Sequence, residues 1–195
     1  MVINFVLQHW NAEAAQQAQK YADVCRFVEH NSWKDRIVRN FYSCGQNLFG
    51  SREKTDWYTA IESWYSEYVN YTYGSHKNVF EDIGHYTQMM WATSHQVGCG
   101  VAFCKGGRWG QFYNFVCHYC PSGNYGMKYP YKIGRPCGDC PYNCVYGKLC
   151  TNSCPSLDAL GNCEELLVEP DICYTGDCNA TCWCRDKIHK NYPWV

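Results

Sequence analysis

The fold reading turns on Gly84-His85-Tyr86-Thr87-Gln88-Met89-Met90-Trp91, followed shortly by Val97-Gly98-Cys99-Gly100. One run carries an ionisable imidazole, an apolar helical face (Ile83, Tyr86, Met90) and a Gly-Cys-Gly entry into a strand. Its partner is Phe112-Tyr113-Asn114-Phe115-Val116-Cys117-His118-Tyr119-Cys120-Pro121. Residues 97–104 and 111–119 read as strands, and the glycine-rich Lys105-Gly106-Gly107-Arg108-Trp109-Gly110 between them makes a hairpin. A helix is expected just ahead, over residues 79–91. Further out, residues 11–28 read as a helix with Ala14, Ala18, Tyr21, Ala22, Cys25 and Val28 on one stripe, Asn11 as N-cap and Glu13 in the first turn. Residues 56–70 read as another, with Trp57, Ile61, Trp64, Tyr65 and Tyr68 on an aromatic face. Glu67 lies roughly 100° from the centre of that face. Residues 30–48 are irregular and basic, with Cys44-Gly45-Gln46-Asn47-Leu48 turning into a short buried segment. Helices ahead of a hairpin, without regular βαβ alternation, give an α+β class.

The 195-residue chain has room for one medium domain and a small one. With 17 basic and 18 acidic residues the net charge is -1, so no strong field selects nucleic acid. No apolar run is long enough to span a bilayer. Sixteen cysteines, an even number, point to an oxidising compartment and a disulfide framework. The sequons Asn70-Tyr71-Thr72 and Asn179-Ala180-Thr181 suit the secretory route, so a secreted, extracellular glycoprotein is expected. Residues 1–7 are apolar but lack a basic leader, a full signal core and a small-residue cleavage site. Composition shifts after Tyr119, and residues 122–136 look like a linker. Residues 137–184 then hold ten cysteines in 48 positions, too little apolar material for a core, so this piece must be stapled. Cys117-x2-Cys120 and Cys137-x2-Cys140, with sixteen residues between them, also fit a zinc ribbon. The secretory context and the remaining cysteines disfavour that reading.

The two signature stretches together resemble the CAP superfamily, which comprises cysteine-rich secretory proteins, antigen 5 and plant pathogenesis-related proteins. Within it, the chain is similar to the cysteine-rich secretory proteins (CRISPs) from about residue 10 to residue 188. The likeness rests on the division of cysteines into six and ten, and on three phrases. These are Pro136-Cys137-Gly138-Asp139-Cys140-Pro141, Leu149-Cys150-Thr151-Asn152-Ser153-Cys154 and Cys178-Asn179-Ala180-Thr181-Cys182-Trp183-Cys184. The resemblance implies a CAP α-β-α sandwich over residues 1–121, the linker at 122–136, a disulfide hinge at 137–153 and a helical ShK-like module at 154–188. The family's first helix, with its His-Asn-x-x-Arg motif, has no counterpart here, so the expectation is an N-terminally truncated domain with one sheet face uncovered. A partial gene product that never folds stably is the bland reading of that gap. The resemblance also implies the pairs Cys25–Cys104, Cys44–Cys120 and Cys99–Cys117 in the body. It implies Cys137–Cys144 and Cys140–Cys150 in the hinge, and Cys154–Cys184, Cys163–Cys178 and Cys173–Cys182 in the module.

The family gathers two histidines and two carboxylates in a cleft, and some members bind zinc through the histidines. Here His30 and His85 occupy the histidine positions and Glu67 one acidic position, but the family's Gly-Glu-Asn phrase reads Gly45-Gln46-Asn47. Glutamine neither takes nor gives a proton at neutral pH, so a catalytic carboxylate pair has lost a member. Two imidazoles still suffice for a weak, water-completed zinc site, no cofactor being required. Otherwise the four residues form a hydrogen-bonded network that orders the cleft. His95 and His118 read as surface or satisfied core histidines, and no serine sits in a nucleophile-elbow context. The expected function is therefore binding: a secreted monomer that modulates an ion channel or other cell-surface protein, with sperm maturation and gamete interaction among the roles of mammalian relatives. Only four residues separate Cys173 from Cys178, about one helical turn fewer than the family usually has. The rival readings are a CAP-type protease and a sterol or lipid binder using Trp109, Phe112, Tyr113 or Phe115.

Overall fold

The computed structural model describes residues 2–3, 5–39, 41–106 and 108–188; Met1 and Gly107 of the hairpin turn lie outside the described residues. The chain begins as three short strands, β1 (Val2–Ile3), β2 (Phe5–Val6) and β3 (His9–Trp10), and enters helix α1 (Ala12–Ala22). Strand β4 (Gly45–Ser51), helices α2 (Trp57–Ser66) and α3 (Phe80–Met89), and the hairpin β5 (Gln96–Cys104) and β6 (Phe112–Cys120) follow. The C-terminal part holds β7 (Lys132–Ile133), β8 (Cys144–Val145), β9 (Leu149–Cys150), and the short helices α4 (Cys163–Leu166), α5 (Ile172–Thr175) and α6 (Asn179–Trp183).

The central sheet runs β3-β5-β6-β4, antiparallel except for β3 beside β5. Its register puts Gln46, His118 and Gly98 in one cross-strand row and Asn47, Cys117 and Cys99 in the next. Successive rows face opposite sides of the sheet. The Gly98 row faces α1. A Cβ on Gly98 would lie 2.1 Å from the Ala15 nitrogen, and one on Gly100 would lie 2.3 Å from Gln19 Cα. Only glycine at both positions lets the helix backbone rest on the strand. The intervening Cys99 points to the other face, where Ala60 and Trp64 of α2 pack with Phe115, Cys117 and Tyr119. The Gly-Cys-Gly phrase thus serves both layers of an α-β-α sandwich.

Asn11 caps α1 by accepting from Ala14 N at 2.8 Å, and Ala14, Ala18, Tyr21 and Ala22 are buried. The helix stops at Ala22 rather than running to residue 28, because positive φ angles at Cys25 (60°) and Val28 (48°) turn the chain away. Cys25 is thereby carried to Cys104 at the end of β5, and Val28 is exposed. In α2 the buried face is Ala60 and Trp64, with the Trp64 indole donating to the Leu48 carbonyl at 2.9 Å. Ile61, Tyr65 and Tyr68, expected on the buried face, are exposed. Ile61 and Tyr65 lie about a quarter-turn or more from the Ala60–Trp64 line on the helix, and Tyr68 falls beyond it, in the 3-10 turn Glu67–Asn70. Phe112 and Phe115 are core, while Trp109 stacks on Phe27 at 5.3 Å. Beside α2 an open groove of about 620 Å³ is lined by Trp57, Ile61, Met89, Met90 and Val101, among others.

Residues 122–136 are laid along the body rather than left loose. Tyr131 is buried against Tyr86, Tyr73 donates to the Tyr131 carbonyl at 2.9 Å, and Ala92 N donates to Pro130 O at 2.8 Å. Strands β8 and β9 form a hairpin, β2 pairs in parallel with β9, and β1 pairs with β7. Val6, Cys137, Cys140, Cys150 and Ile188 make a small core of their own. The eight disulfides are Cys25–Cys104, Cys44–Cys120, Cys99–Cys117, Cys137–Cys144, Cys140–Cys150, Cys154–Cys184, Cys163–Cys178 and Cys173–Cys182. Helix α5 is a single turn closed by Gly176 at φ 89°, as the short Cys173–Cys178 interval requires.

Candidate functional site

The cleft lies at the edge strand β4, whose residues alternate between the two layers. Asn47 faces α3 and donates to the His85 carbonyl at 3.0 Å, tying that helix to the sheet edge. Glu67 stands where α2 gives way to a short 3-10 turn (Glu67–Asn70) and turns its carboxylate into α3. Its Oε1 lies 2.6 Å from His85 Nδ1, and its Oε2 accepts the backbone N–H of His85 at 2.8 Å and of Tyr86 at 3.0 Å. The His85 ring also stacks on Trp64, centroids 6.3 Å apart.

On the other face, Gln46 Oε1 lies 2.7 Å from His30 Nδ1. Gln46 Nε2 lies 3.1 Å from Asn31 Oδ1 and 3.1 Å from His118 Nε2. Burial holds His30 below the ordinary imidazole range; the Gln46 bond opposes that shift, and the Arg36 and His85 charges add to it. His118 is fully enclosed. Burial, with a further push from Arg36, takes it down to about 3, so it is neutral at physiological pH. His118 is a core residue, as one of the expected alternatives has it, but not a fully satisfied one: its Nδ1 has no partner, while its Nε2 joins the cleft network through Gln46. The available signal was strand register, which sets residue 118 opposite residue 46. His95 is a satisfied core residue, with its Nδ1 3.1 Å from the Thr93 carbonyl.

His30 and Gln46 thus form one pair and His85 and Glu67 a second, on the two faces of β4, with Asn31 and His118 supporting the first and Asn47 the second; the His85 charge reaches His30. Glu67 spends both oxygens on three donors. Among the described residues no hydroxyl or thiol is hydrogen-bonded to either ring, so a nucleophile is not in place. Each ring has Nδ1 engaged by an oxygen, which leaves Nε2 as the atom it could offer to a zinc ion. Zinc-ribbon binding does not fit. All sixteen cysteines are in disulfides, and the close sulfurs of Cys137, Cys140 and Cys150 belong to two of them. Of the two sequons, Asn70 is exposed, its amide donating to the Asp82 carbonyl at 3.4 Å, whereas Asn179 is half-buried at the start of α6, its amide donating to the Gly176 carbonyl at 2.9 Å.

An α-β-α sandwich carrying a two-histidine cleft and a disulfide-stapled tail defines a class, and comparison with known proteins gives the same one. Residues 7–119 match the family model described as "Cysteine-rich secretory protein family" and residues 137–189 the model described as "Crisp"; the chain belongs to the cysteine-rich secretory proteins of the CAP superfamily. It is 42% identical over 202 residues to cysteine-rich secretory protein 2 of Cavia porcellus, covering 95% of this chain and 77% of that protein. It is 39% identical over 193 residues to the Homo sapiens protein of the same name, with the same coverage. Among solved structures it resembles NaASP2 with Zn2+, at 27% identity and TM-score 0.63, covering 77% of this chain and 78% of that one. It also resembles Schistosoma mansoni venom allergen-like protein 4, at 30% identity and TM-score 0.57, covering 68% and 78%.

Proposed function

We propose that this chain is a secreted, non-enzymatic binding protein whose stapled C-terminal module regulates an ion channel or another cell-surface protein, and whose cleft takes zinc weakly. The observation that carries the non-enzymatic part is the state of Glu67. The cleft's carboxylate is committed to the His85 ring and two backbone amides, and the second acidic position is Gln46. No free carboxylate remains there to take a proton from a substrate. If bound, zinc would sit on His30 and His85, supplying positive charge to the cleft; Glu67 and Gln46 would orient the rings. The division into body, linker, hinge and module at residues 121, 136 and 153 goes with this reading. The module exposes Val168, Tyr174 and Trp183, apolar groups that a partner can cover. A small stapled module is rigid before docking and loses little entropy there.

The test is electrical. Purified protein applied to cells carrying calcium, potassium or cyclic-nucleotide-gated channels is expected to change one class of current. Exchanging Val168, Tyr174 and Trp183 for serine should abolish the effect. No change in any channel, or an effect indifferent to that exchange, refutes the reading. Reproducible peptide cleavage that is lost in Glu67→Ala would replace it with a protease. A second reading, lipid binding, is favoured by the groove lined by Trp57, Ile61, Met89 and Met90 rather than by Phe112, which is core. Titration with a fluorescent sterol, compared with Ile61→Asp, tests it; no wild-type binding removes it.

A further inference from the structure

We propose that the outer edge of β5, from Cys99 to Phe103, is a docking site for an extended, uncharged peptide segment of a partner protein. The segment adds to the central sheet as a further strand and turns apolar side chains into the groove beside α2. This site is separate from the cleft of His30 and His85 and from the stapled module.

The register decides which backbone groups of β5 are available. Cys99 and Cys117 face each other with Cα atoms 4.1 Å apart, the close spacing of an antiparallel pair that exchanges no ladder hydrogen bonds. In such a pair the N–H and C=O groups of the two residues point away from each other. Cys99, and with it every second residue of β5, therefore turns its backbone groups to the outer edge. Two further contacts agree. The Val97 carbonyl accepts from Asn11 N at 2.9 Å, where β3 lies along the start of this edge. At Val101 the side-chain amide of Gln19 takes the place of a peptide group: its Oε1 accepts the Val101 N–H at 3.0 Å and its Nε2 donates to the Val101 carbonyl at 3.0 Å. On either side of Val101, Cys99 and Phe103 have no hydrogen-bond partner on the outer edge among the described residues.

The edge is open as well as unpaired. Strand β3 ends at Trp10, opposite Val97, and the rest of β5 has no strand beside it on that side. Helix α1 packs across Ala102, Val116 and Leu48, so it lies on the face of the sheet and not in its plane. Val101 is 36% exposed and Phe103 44%. An exposed, unpaired edge is a template on which another chain pairs. Cys99 and Val101 also line the groove of about 620 Å³, with Trp57, Ile61, Met89 and Met90, and none of the described residues lining it is charged. A strand laid along the edge sends every second side chain to the groove. A charge arriving there would be desolvated without a counter-ion, so the groove selects an uncharged segment with apolar residues at alternate positions.

The probe is a capped, fluorescently labelled peptide that alternates valine with threonine and carries a lysine at each end for solubility. Anisotropy is expected to show that it binds the full chain, and NMR that hydrogen exchange slows at the Cys99 and Phe103 amides. Methylating the backbone nitrogens of one alternate set, valines or threonines, should weaken binding by about tenfold or more, and methylating the other set should not. Valines as the sensitive set mean an antiparallel strand, threonines a parallel one. Gln19→Ala clears Val101 and should tighten binding by about tenfold. Equal affinity for the plain peptide and both methylated forms overturns the proposal, because a ligand held by the groove alone, as in the lipid reading, is indifferent to strand pairing. Binding without protection of Cys99 and Phe103 overturns it as well, and so does the absence of binding to both the wild type and Gln19→Ala. Protection of the same amides in the peptide-free protein as its concentration rises gives the edge to a second copy of the chain, and this too overturns it.

Discussion

Acidification is expected to destabilise this protein through one buried ring. His118 titrates near an ordinary value of 6.5 when unfolded but only at about 3 inside the sheet, where burial and Arg36 oppose its charge. Below 6.5 the unfolded chain therefore binds a proton that the folded chain refuses. The stability tied to this neutral ring is complete above 6.5 and is lost as pH falls toward 3. Each pH unit in that window costs about 1.4 kcal/mol per proton, so moving to about pH 5 removes roughly 2 kcal/mol. Urea unfolding at about pH 7.5 and about pH 5, with disulfides intact, measures the loss. His30 and His95 are also held down by burial and contribute in the same direction, so the wild-type slope alone does not isolate His118. The comparison with His118→Gln does, because glutamine keeps an acceptor for Gln46 and cannot charge. The variant should lose about 2 kcal/mol less than the wild type over the same interval. Equal losses in the two proteins would falsify the assignment of a buried neutral imidazole at this position.

Other expectations concern packing, the cleft and the surface. Gly98→Ala puts a methyl 2.1 Å from the Ala15 nitrogen and should cost about 1–3 kcal/mol in unfolding experiments, while Gly161→Ala, which meets nothing within 4 Å, should be near neutral. Comparable effects at the two sites would mean that α1 does not rest on β5 as described. Glu67→Ala frees the His85 ring and should weaken any zinc binding by about 10–100-fold, read by calorimetry; unchanged affinity would exclude Glu67 as the orienting group. In a secretory host, mass spectrometry should find glycan on exposed Asn70 but not on Asn179, which is held against Gly176 beside the buried Cys178. Full occupancy at Asn179 would show that the sequon is reached before α6 forms.

Local pattern made some elements legible and not others. Asn11 before an alanine-rich stripe announces the start of α1, and two apolar runs around a glycine-rich turn announce the β5–β6 hairpin. The end of α1 was not legible: Cys25 continues the apolar period, and only its distant partner Cys104 takes it out of the helix. Strand β4 reads locally as a short buried segment after a turn, because its seven residues gain their strand character from β6, some seventy residues away. The cleft residues at 30, 46, 67 and 85 share no period and are recognisable only through motifs in a known order. His118 escaped that route as well, since its partner is set by register, and register is decided by tertiary packing rather than by neighbours in the chain.

The partition of the disulfides has a mechanical consequence. Three lie wholly at or before residue 120 and five wholly at or after residue 137, so no cross-link joins the two groups. What clasps the tail to the body, besides the single strand of backbone, is non-covalent, including the pairing of β2 with β9 and the bond from Leu7 N to Cys150 O at 2.8 Å. Each half is therefore locked internally against thermal agitation while the joint between them can open and reclose without redox chemistry. A force that tilts the tail against the sandwich must part these hydrogen bonds and the apolar contacts of Val6 with Cys140, Cys150 and Ile188 and of Leu157 with the body, yet it breaks no disulfide.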